Sequence, residues 1–475
     1  MRKGARAYLT ANFVAQLCAL LRFTILARLL GAEELGLAAI LILTSQFFQS
    51  VSTTGADRFI IQDREGDDPK MQGLVQAVLA ARGVLTAIAL VLFSGLVAAL
   101  FKAPELRTPL MGLALTPLIL GFMHLDLRRV QRDLDFRPES IGILGSEIVA
   151  LLCTAVAAWI TRDASAVIWG LTARAIVQVA VSHLTAKRPY RFAFVRDQAM
   201  RFSHFAAPLF LNGILLFFGT QGDRVIVGNG LGAEALGHYS AALLLIFYPT
   251  TLLTRLVVGF YLPPLARSRD DPKLYAIERN RLSGRIMLLS LAMMVGFVAV
   301  APFAMPLLYG PRFVEPVSIL GAIAALQTLR FIRVWPTTVA NSIGRSSILL
   351  YNNIVRIAIL PLAIWAVNHF QSLEALILAF VIGEVGAMLS ALWHLHRVSA
   401  IDIRRDAVRL ATFLLWVAVV CAGTWAFDHG VTSLLWASAA GAVLGLGLLL
   451  TERDVVAEGI RWSQRRARRV LRLKR

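Results

Sequence analysis

Residues 84–101 read VLTAIALVLFSGLVAALF, eighteen consecutive residues without a charge. A run of this length crosses most of the ~30 Å of membrane hydrocarbon as a helix that rises about 1.5 Å per residue. Similar runs follow one another from Leu9 to Leu450. The chain of 475 residues is 57% hydrophobic and only 16% charged, whereas soluble chains carry about 25% charged residues. The sequence therefore predicts an all-α integral membrane protein rather than several soluble domains.

Apolar runs bounded by charges, glycines and prolines predict about fourteen transmembrane helices. Each must be helical, because the backbone finds no water to bond with inside a bilayer. The first run follows three basic residues, as a signal peptide would, but it is longer than a signal h-region and no small-residue cleavage pattern ends it. The predicted spans are residues 8–30, 36–56, 74–101, 109–126, 141–161, 164–184, 205–228, 238–262, 284–309, 315–340, 347–368, 372–395, 407–427 and 431–450.

The distribution of Lys and Arg predicts the orientation of these spans. If the N-terminus is inside, 35 of the 48 basic residues fall in inside segments and four in outside loops. Cytoplasmic loops carry such an excess of basic residues. We therefore expect a multi-pass protein of the bacterial inner membrane with both termini in the cytoplasm. Topology accounts for most of the net charge of +19, so no nucleic-acid partner is expected.

A short motif occurs twice and predicts two halves. Residues 30–36 read LGAEELG and residues 231–237 read LGAEALG, six of seven positions agreeing at an offset of 201. Six predicted helices separate the copies, so the halves share one orientation and are related by a pseudo-two-fold axis along the membrane normal. The predicted domains are six-helix bundles at 1–200 and 201–400, helices 13 and 14 at 401–452, and a basic tail at 453–475. We expect a central cavity between the bundles, suited to alternating access.

Arginines at membrane depth outnumber acids there by nine to three. An ionised side chain at the bilayer centre costs at least ~2.5–3.5 kcal/mol, so the surplus must face water or an anion. The planar fork of arginine suits phosphate oxygens. The candidates for a cationic lining are Arg22, Arg174, Arg330 and Arg333, with Arg82, Arg224 and Arg356 less central. Alternatively, arginines near helix ends, such as Arg28 and Arg255, extend to the lipid headgroups.

The acids at membrane depth are Asp223, Glu384 and Glu147. They are candidates for ion coupling or for counter-ions to the arginines. Glu384 in particular is either the counter-ion of one arginine or a proton or sodium site.

No pattern predicts an enzyme, a metal site or a cofactor. The three cysteines lie in apolar runs, and no nucleotide-binding glycine loop is present. The tail after Glu452 reads as a basic amphipathic helix, which predicts contact with anionic lipids of the inner leaflet. A disordered basic end is the alternative.

Several short segments resemble the polysaccharide-transporter family. These are residues 28–36 (RLLGAEELG), 223–240 (DRVIVGNGLGAEALGHYS), 134–137 (LDFR) and 308–310 (LYG). The chain thus looks like the Wzx-type flippases of the multidrug/oligosaccharidyl-lipid/polysaccharide (MOP) exporter superfamily, which includes the MATE transporters. The resemblance covers both halves, most of residues 1–400.

This resemblance implies a flippase that moves undecaprenyl-diphosphate-linked oligosaccharide to the outer leaflet for O-antigen, capsule or exopolysaccharide synthesis. It also implies an ion gradient as the driving force. The polysaccharide polymerase and chain-length machinery of the same pathway are possible partners. Alternatives are export of lipid II, export of a drug, or a membrane polymerase or ligase. The arginine surplus disfavours cationic drugs, and the short outer loops disfavour an enzyme.

Overall fold

The computed structural model describes residues 4–53, 55–63, 65–133, 135–345, 347–398 and 403–431. Helices make up nearly all of these residues, and no strand occurs among them. One 3-10 turn spans Pro104–Leu106. The α-helices are α1 Ala5–Leu30, α2 Ala32–Val51, α3 Ala56–Gln62, α4 Pro69–Leu100, α5 Arg107–Gly112, α6 Leu115–Leu120, α7 Asp126–Arg132, α8 Arg137–Thr161, α9 Ala166–Leu184, α10 Arg196–Gly230, α11 Ala233–Ser268, α12 Pro272–Tyr309, α13 Val317–Ile332, α14 Val334–Ser342, α15 Ser347–Ala358, α16 Leu360–Phe370, α17 Leu373–Val398 and α18 Ile403–Asp428.

Eleven stretches of the described residues are long and apolar enough to cross a membrane. The 35-residue helix α10 covers the predicted span at 205–228. The predicted span 431–450, like the tail at 453–475, lies outside the described residues apart from Val431. The all-helical membrane fold is confirmed, whereas the total of fourteen helices stays a prediction.

The predicted span at 109–126 is not one helix. It is divided into α5 and α6, of six residues each. Pro117 has no N–H to donate to the carbonyl of Leu113, and the amide of Thr116 bonds this carbonyl instead at 3.1 Å. The tighter turn ends one helix and begins the next.

The described residues form two compact units. Unit 1 lies within Met1–Ala241 and Pro306–Phe313, and unit 2 within Ala242–Met305 and Val314–Arg475. The C-terminal end of α12 thus belongs to unit 1. Arg28 donates from Nε to the carbonyl of Leu308 at 2.8 Å and from Nη2 to the carbonyl of Leu307. Arg28 therefore caps the carbonyl end of α12, and its contact with lipid headgroups stays a prediction. The predicted domain limits at residues 200 and 400 stay predictions.

The two copies of the repeated motif pack against each other within unit 1. A Cβ added to Gly36 would lie 1.7 Å from the carbonyl oxygen of Ala233, and one added to Gly237 would lie 2.0 Å from that of Ala32. The offset of 201 relates Gly36 to Gly237 and Ala32 to Ala233, so the contact is reciprocal. Reciprocal contacts are what a two-fold axis between two copies produces, which supports the predicted relation of the repeats.

A buried ion cluster joins α12 to α18 in unit 2. Asp406 lies 3.6 Å from Arg279 and 3.9 Å from Arg409, and Arg409 also donates to the hydroxyl of Ser283 at 2.6 Å. The charge distribution predicts both arginines in inside segments, but it does not identify Asp406 as their partner. Asp406 lies in the first turn of α18, and no local sequence pattern there indicates which residues it contacts.

Replacing Gly36 with alanine should destabilise the protein, because the new methyl group would lie 1.7 Å from the backbone carbonyl oxygen of Ala233. We expect the midpoint of thermal unfolding in detergent to fall by about 1–3 °C, since overpacking costs about 1–3 kcal/mol and a chain of this length unfolds with an entropy of about 1 kcal/mol per kelvin. Gly296→Ala is the matched control, because nothing lies within 4 Å of the added Cβ. Equal midpoints for the two variants would contradict the close approach.

Candidate functional site

Three arginines surround one carboxylate inside unit 2. Glu384, on α17, is 3% exposed and accepts a hydrogen bond from Nε of Arg356 at 2.9 Å and one from Nε of Arg330 at 3.3 Å. The Nε of Arg333 lies 3.1 Å from the other carboxylate oxygen. The three arginine side chains are 10–17% exposed. We call these four residues the C-half cluster, and its formal charge is +2.

Broken helices hold the arginines of the C-half cluster. Pro336 has no N–H for the carbonyl of Ile332, where α13 ends, and Arg333 occupies the junction with α14. Pro361 likewise has no N–H for the carbonyl of Ile357, and α15 ends one residue later. Arg356 lies in the last turn of α15. Prolines therefore interrupt both spans close to the arginines, and interrupted spans are where transporters of other folds bind their cargo.

A second cluster of the same kind lies in unit 1. Glu147, on α8, is 6% exposed, and its two oxygens lie 3.4 Å from Nη1 of Arg22 and 3.0 Å from Nε of Arg174. Arg22 is on α1 and Arg174 is on α9, the two helices that pack against α8. We call these three residues the N-half cluster, and its formal charge is +1. Within the described residues, Nε of Arg174 and Nε of Arg333 form ion pairs without a hydrogen bond.

The two clusters occupy corresponding positions in the repeat with opposite order of charge. A left-handed residue ends each hairpin helix, Arg162 after α8 with φ 58° and Gln371 after α16 with φ 48°. Glu147 lies fifteen residues before the first of these, and Arg356 lies fifteen residues before the second. After the turns, Arg174 follows at twelve residues and Glu384 at thirteen. The acid thus comes first in one half and the arginine first in the other.

The remaining predicted site residues lie outside the two clusters. Asp223, fully buried on α10, accepts from the hydroxyl of Tyr239 at 3.0 Å and from the amide of Arg224 at 2.9 Å. Arg224 is partly buried beside it, Arg82 is partly buried on α4, and Arg255 is exposed on α11. The structure thus brings together five of the seven predicted arginines and two of the three acids.

The geometry favours a counter-ion role for Glu147 and Glu384, because each carboxylate forms ion pairs with two or more guanidinium groups. The sequence alone allows two roles for Glu384, the counter-ion of an arginine or a proton or sodium site. No group of three or more His, Cys, Asp or Glu that would hold a metal occurs among the described residues.

The family model described as Polysaccharide biosynthesis protein (Polysacc_synt_3) matches residues 25–318. Among curated proteins, the succinoglycan biosynthesis transport protein ExoT of Rhizobium meliloti (strain 1021) is 27% identical over 306 residues, 63% of this chain and 60% of ExoT. The lipopolysaccharide biosynthesis protein WzxC of Escherichia coli (strain K12) is 20% identical over 327 residues, 68% of this chain and 65% of WzxC. The matched stretch spans less than two thirds of the length of either relative.

Solved transporter structures share the fold. The lipid II flippase MurJ in its inward closed conformation superposes with a TM-score of 0.66 at 15% identity, covering 94% of this chain and 99% of MurJ. An inward-facing multidrug resistance MATE transporter of the MOP superfamily superposes with a TM-score of 0.57 at 13% identity, covering 82% of this chain and 96% of that one. The fold is therefore the MOP fold.

The counter-ion role of Glu384 has a direct test. Glu384→Gln removes the negative charge from three enclosed guanidinium groups, and loss of one partner of a buried ion pair costs about 3–5 kcal/mol. We expect a lower midpoint of thermal unfolding in detergent, and added pyrophosphate should restore part of it by binding the freed arginines.

Glu374→Gln on the same helix is the control, because Glu374 is exposed and exposed substitutions change stability by about 0.5 kcal/mol or less. A Glu384→Gln midpoint equal to that of the control, with or without pyrophosphate, would show that the carboxylate does not balance the arginines.

Proposed function

The chain belongs to the family described as Polysaccharide biosynthesis protein, and from that membership we propose that it moves undecaprenyl-diphosphate-linked oligosaccharide from the cytoplasmic to the outer leaflet. Membership and fold support a Wzx-type flippase of the MOP superfamily, a transporter rather than an enzyme. The polymer served is O-antigen, capsule or exopolysaccharide. Relatives named for succinoglycan, amylovoran and lipopolysaccharide biosynthesis support this class of cargo.

The observation that carries the proposal is the excess of arginine over carboxylate in both clusters; the arginines of the C-half cluster are 10–17% exposed, and those of the N-half cluster are 18% and 40% exposed. Three guanidinium groups face one carboxylate in the C-half cluster, and two face one in the N-half cluster. Uncompensated charge in a membrane is costly, so each cluster is expected to attract an anion. A diphosphate carries the required charge, and arginine binds phosphate oxygens through two parallel hydrogen bonds. A cationic drug would be repelled by the same groups.

In the proposed mechanism the diphosphate enters the cationic lining from the cytoplasm and leaves outside by alternating access. An ion gradient drives the cycle, and Asp223, fully buried on α10, is a candidate for ion coupling. The polymerase and chain-length machinery take over the product, and the basic tail at 453–475 contacts anionic lipids of the inner leaflet.

Removing cluster arginines should reduce transport. A hydrogen bond to a charged group contributes about 1.5–3 kcal/mol, and 1.4 kcal/mol is a factor of ten. Ala at Arg22, Arg174, Arg330, Arg333 or Arg356 should therefore lower polymer output about ten-fold or more in a strain that lacks its own copy of the gene. Lysine should restore little of the output if the bidentate fork is needed.

Arg269→Ala is the control for this assay, because Arg269 is exposed and pairs with Asp270 in the loop between α11 and α12. Variants are compared at equal abundance in the membrane. Unchanged output from all five cluster variants would leave the arginines as structural ion pairs and refute the cationic lining.

Labelling with a membrane-impermeant thiol reagent tests the proposed orientation. Glu234→Cys, at the start of α11, should react in intact cells, whereas Arg269→Cys, just after the other end of α11, should react only in inverted vesicles. The background should be a variant without Cys18, Cys153 and Cys421. Reaction of both sites from one side would contradict a membrane crossing by α11.

A further inference from the structure

An apolar cavity of about 550 Å³ lies at one end of unit 1. Its walls come from the two residues that follow α2, the first turns of α4, the first half of α10 and Phe194 just before α10. Apart from the hydroxyls of Ser52, Thr53 and Ser203, the lining side chains are apolar. The volume falls within the range of about 300–1,000 Å³ that is usual for small-molecule sites.

The depth of the cavity matches the acyl region of one leaflet. Helix α4 begins at Pro69, and its lining residues run from Leu74 to Ala81. At about 1.5 Å per residue these lie roughly 8–18 Å inside the helix end. In the proposed orientation this end is cytoplasmic, so the cavity lies within the inner leaflet.

Exposed aromatic and basic residues border the cavity at its cytoplasmic end. The segment that leads into α10 reads Arg191-Phe192-Ala193-Phe194-Val195-Arg196, and Arg196 is the first residue of the helix. Phe194, which lines the cavity, is 81% exposed. This segment packs directly on α4, because a Cβ added to Gly73 would lie 3.0 Å from that of Ala193. The cations of the loop therefore lie next to the mouth of the cavity.

Four arginines lie in or next to this segment, and two of them are available to contact a ligand. Arg188 pairs with Asp67 at 3.1 Å, and Arg201 pairs with Glu65. Arg191 and Arg196 are exposed and have no ion-pair partner among the residues that the structure describes. The excess of basic residues in inside loops accounts for their charge, but it does not account for an apolar cavity beside them.

We propose that this cavity binds the first isoprene units of a polyprenyl diphosphate while Arg191 and Arg196 contact its phosphates, before the phosphates enter the cationic lining. The inference rests on the proposed function, because a flippase must keep the apolar chain of its cargo out of water while the polar head moves. Apolar walls, a depth within the inner leaflet and cations at the mouth match the two chemical parts of such a lipid. The site is separate from both arginine clusters in its residues and belongs to unit 1 alone.

The test measures, by native mass spectrometry, how tightly the full-length protein in detergent binds undecaprenyl diphosphate. Ala81→Trp fills the cavity and should weaken binding about ten-fold. Ala99→Trp is the matched control, because both alanines are exposed on α4 and eighteen residues are five helical turns, so they share one face about 27 Å apart. Phe194→Ala is a second variant that does not depend on a bulky insertion. It should weaken binding several-fold.

The outcomes separate this inference from the proposed function. Weaker binding by Ala81→Trp and Phe194→Ala, with unchanged binding by Ala99→Trp, supports the cavity as the chain site. If the native protein binds undecaprenyl diphosphate and both cavity variants bind it equally well, the inference fails and the proposed function stands. Binding of phosphatidylglycerol is measured in the same way. If the cavity variants bind phosphatidylglycerol more weakly but undecaprenyl diphosphate as well as the native protein does, the cavity holds a bilayer lipid and the inference also fails. Absence of any binding by the native protein would overturn both.

Discussion

The hydrocarbon core of a membrane cannot solvate a charge, and this constraint shapes the candidate site of the protein. Every arginine that enters a span needs a carboxylate, a backbone carbonyl, water or a ligand. Glu384 serves three guanidinium groups, and Glu147 serves two. The carbonyls at the end of α12 serve Arg28. Because two carboxylates are shared among five arginines, each cluster keeps a positive charge that suits an anionic cargo.

The second determinant is where the helices break. In a continuous helix the backbone groups hydrogen-bond to one another, and an arginine side chain points away from the helix axis. Prolines at 336 and 361 interrupt two spans, so that Arg333 lies in a junction and Arg356 lies in the turn before one. Three broken or separate elements then direct guanidinium groups at one carboxylate of the unbroken helix α17. The price in lost backbone hydrogen bonds falls at the residues that bind charge.

Internal repetition is preserved in backbone conformation more faithfully than in side chains. Left-handed residues recur at Gly31 and Gly232 and again at Arg162 and Gln371, offsets of 201 and 209. At the cluster positions between these turns, however, acid and arginine have exchanged places. An ion pair across two packed helices is equally stable in either order, so the exchange conserves the contact. The extra arginines on α13 and at its junction with α14 then give the C-half cluster its larger charge.

The sequence by itself determined that this is a multi-helix membrane protein. The length and hydrophobicity of each run and the charges of its flanking loops are local properties, and they govern how each helix inserts into a bilayer. The sequence also determined the surplus of arginines at membrane depth and the repeat. It missed the division of the span at 109–126, where Pro117 acts through one hydrogen bond. Only the tertiary structure decided which arginines share which carboxylate, that Arg28 closes α12, and that Asp406 holds two arginines. Apart from Asp406 and Arg409, which lie three residues apart on α18, these partners lie 27 to 280 residues apart in the sequence. No local pattern predicts a contact that packing alone creates.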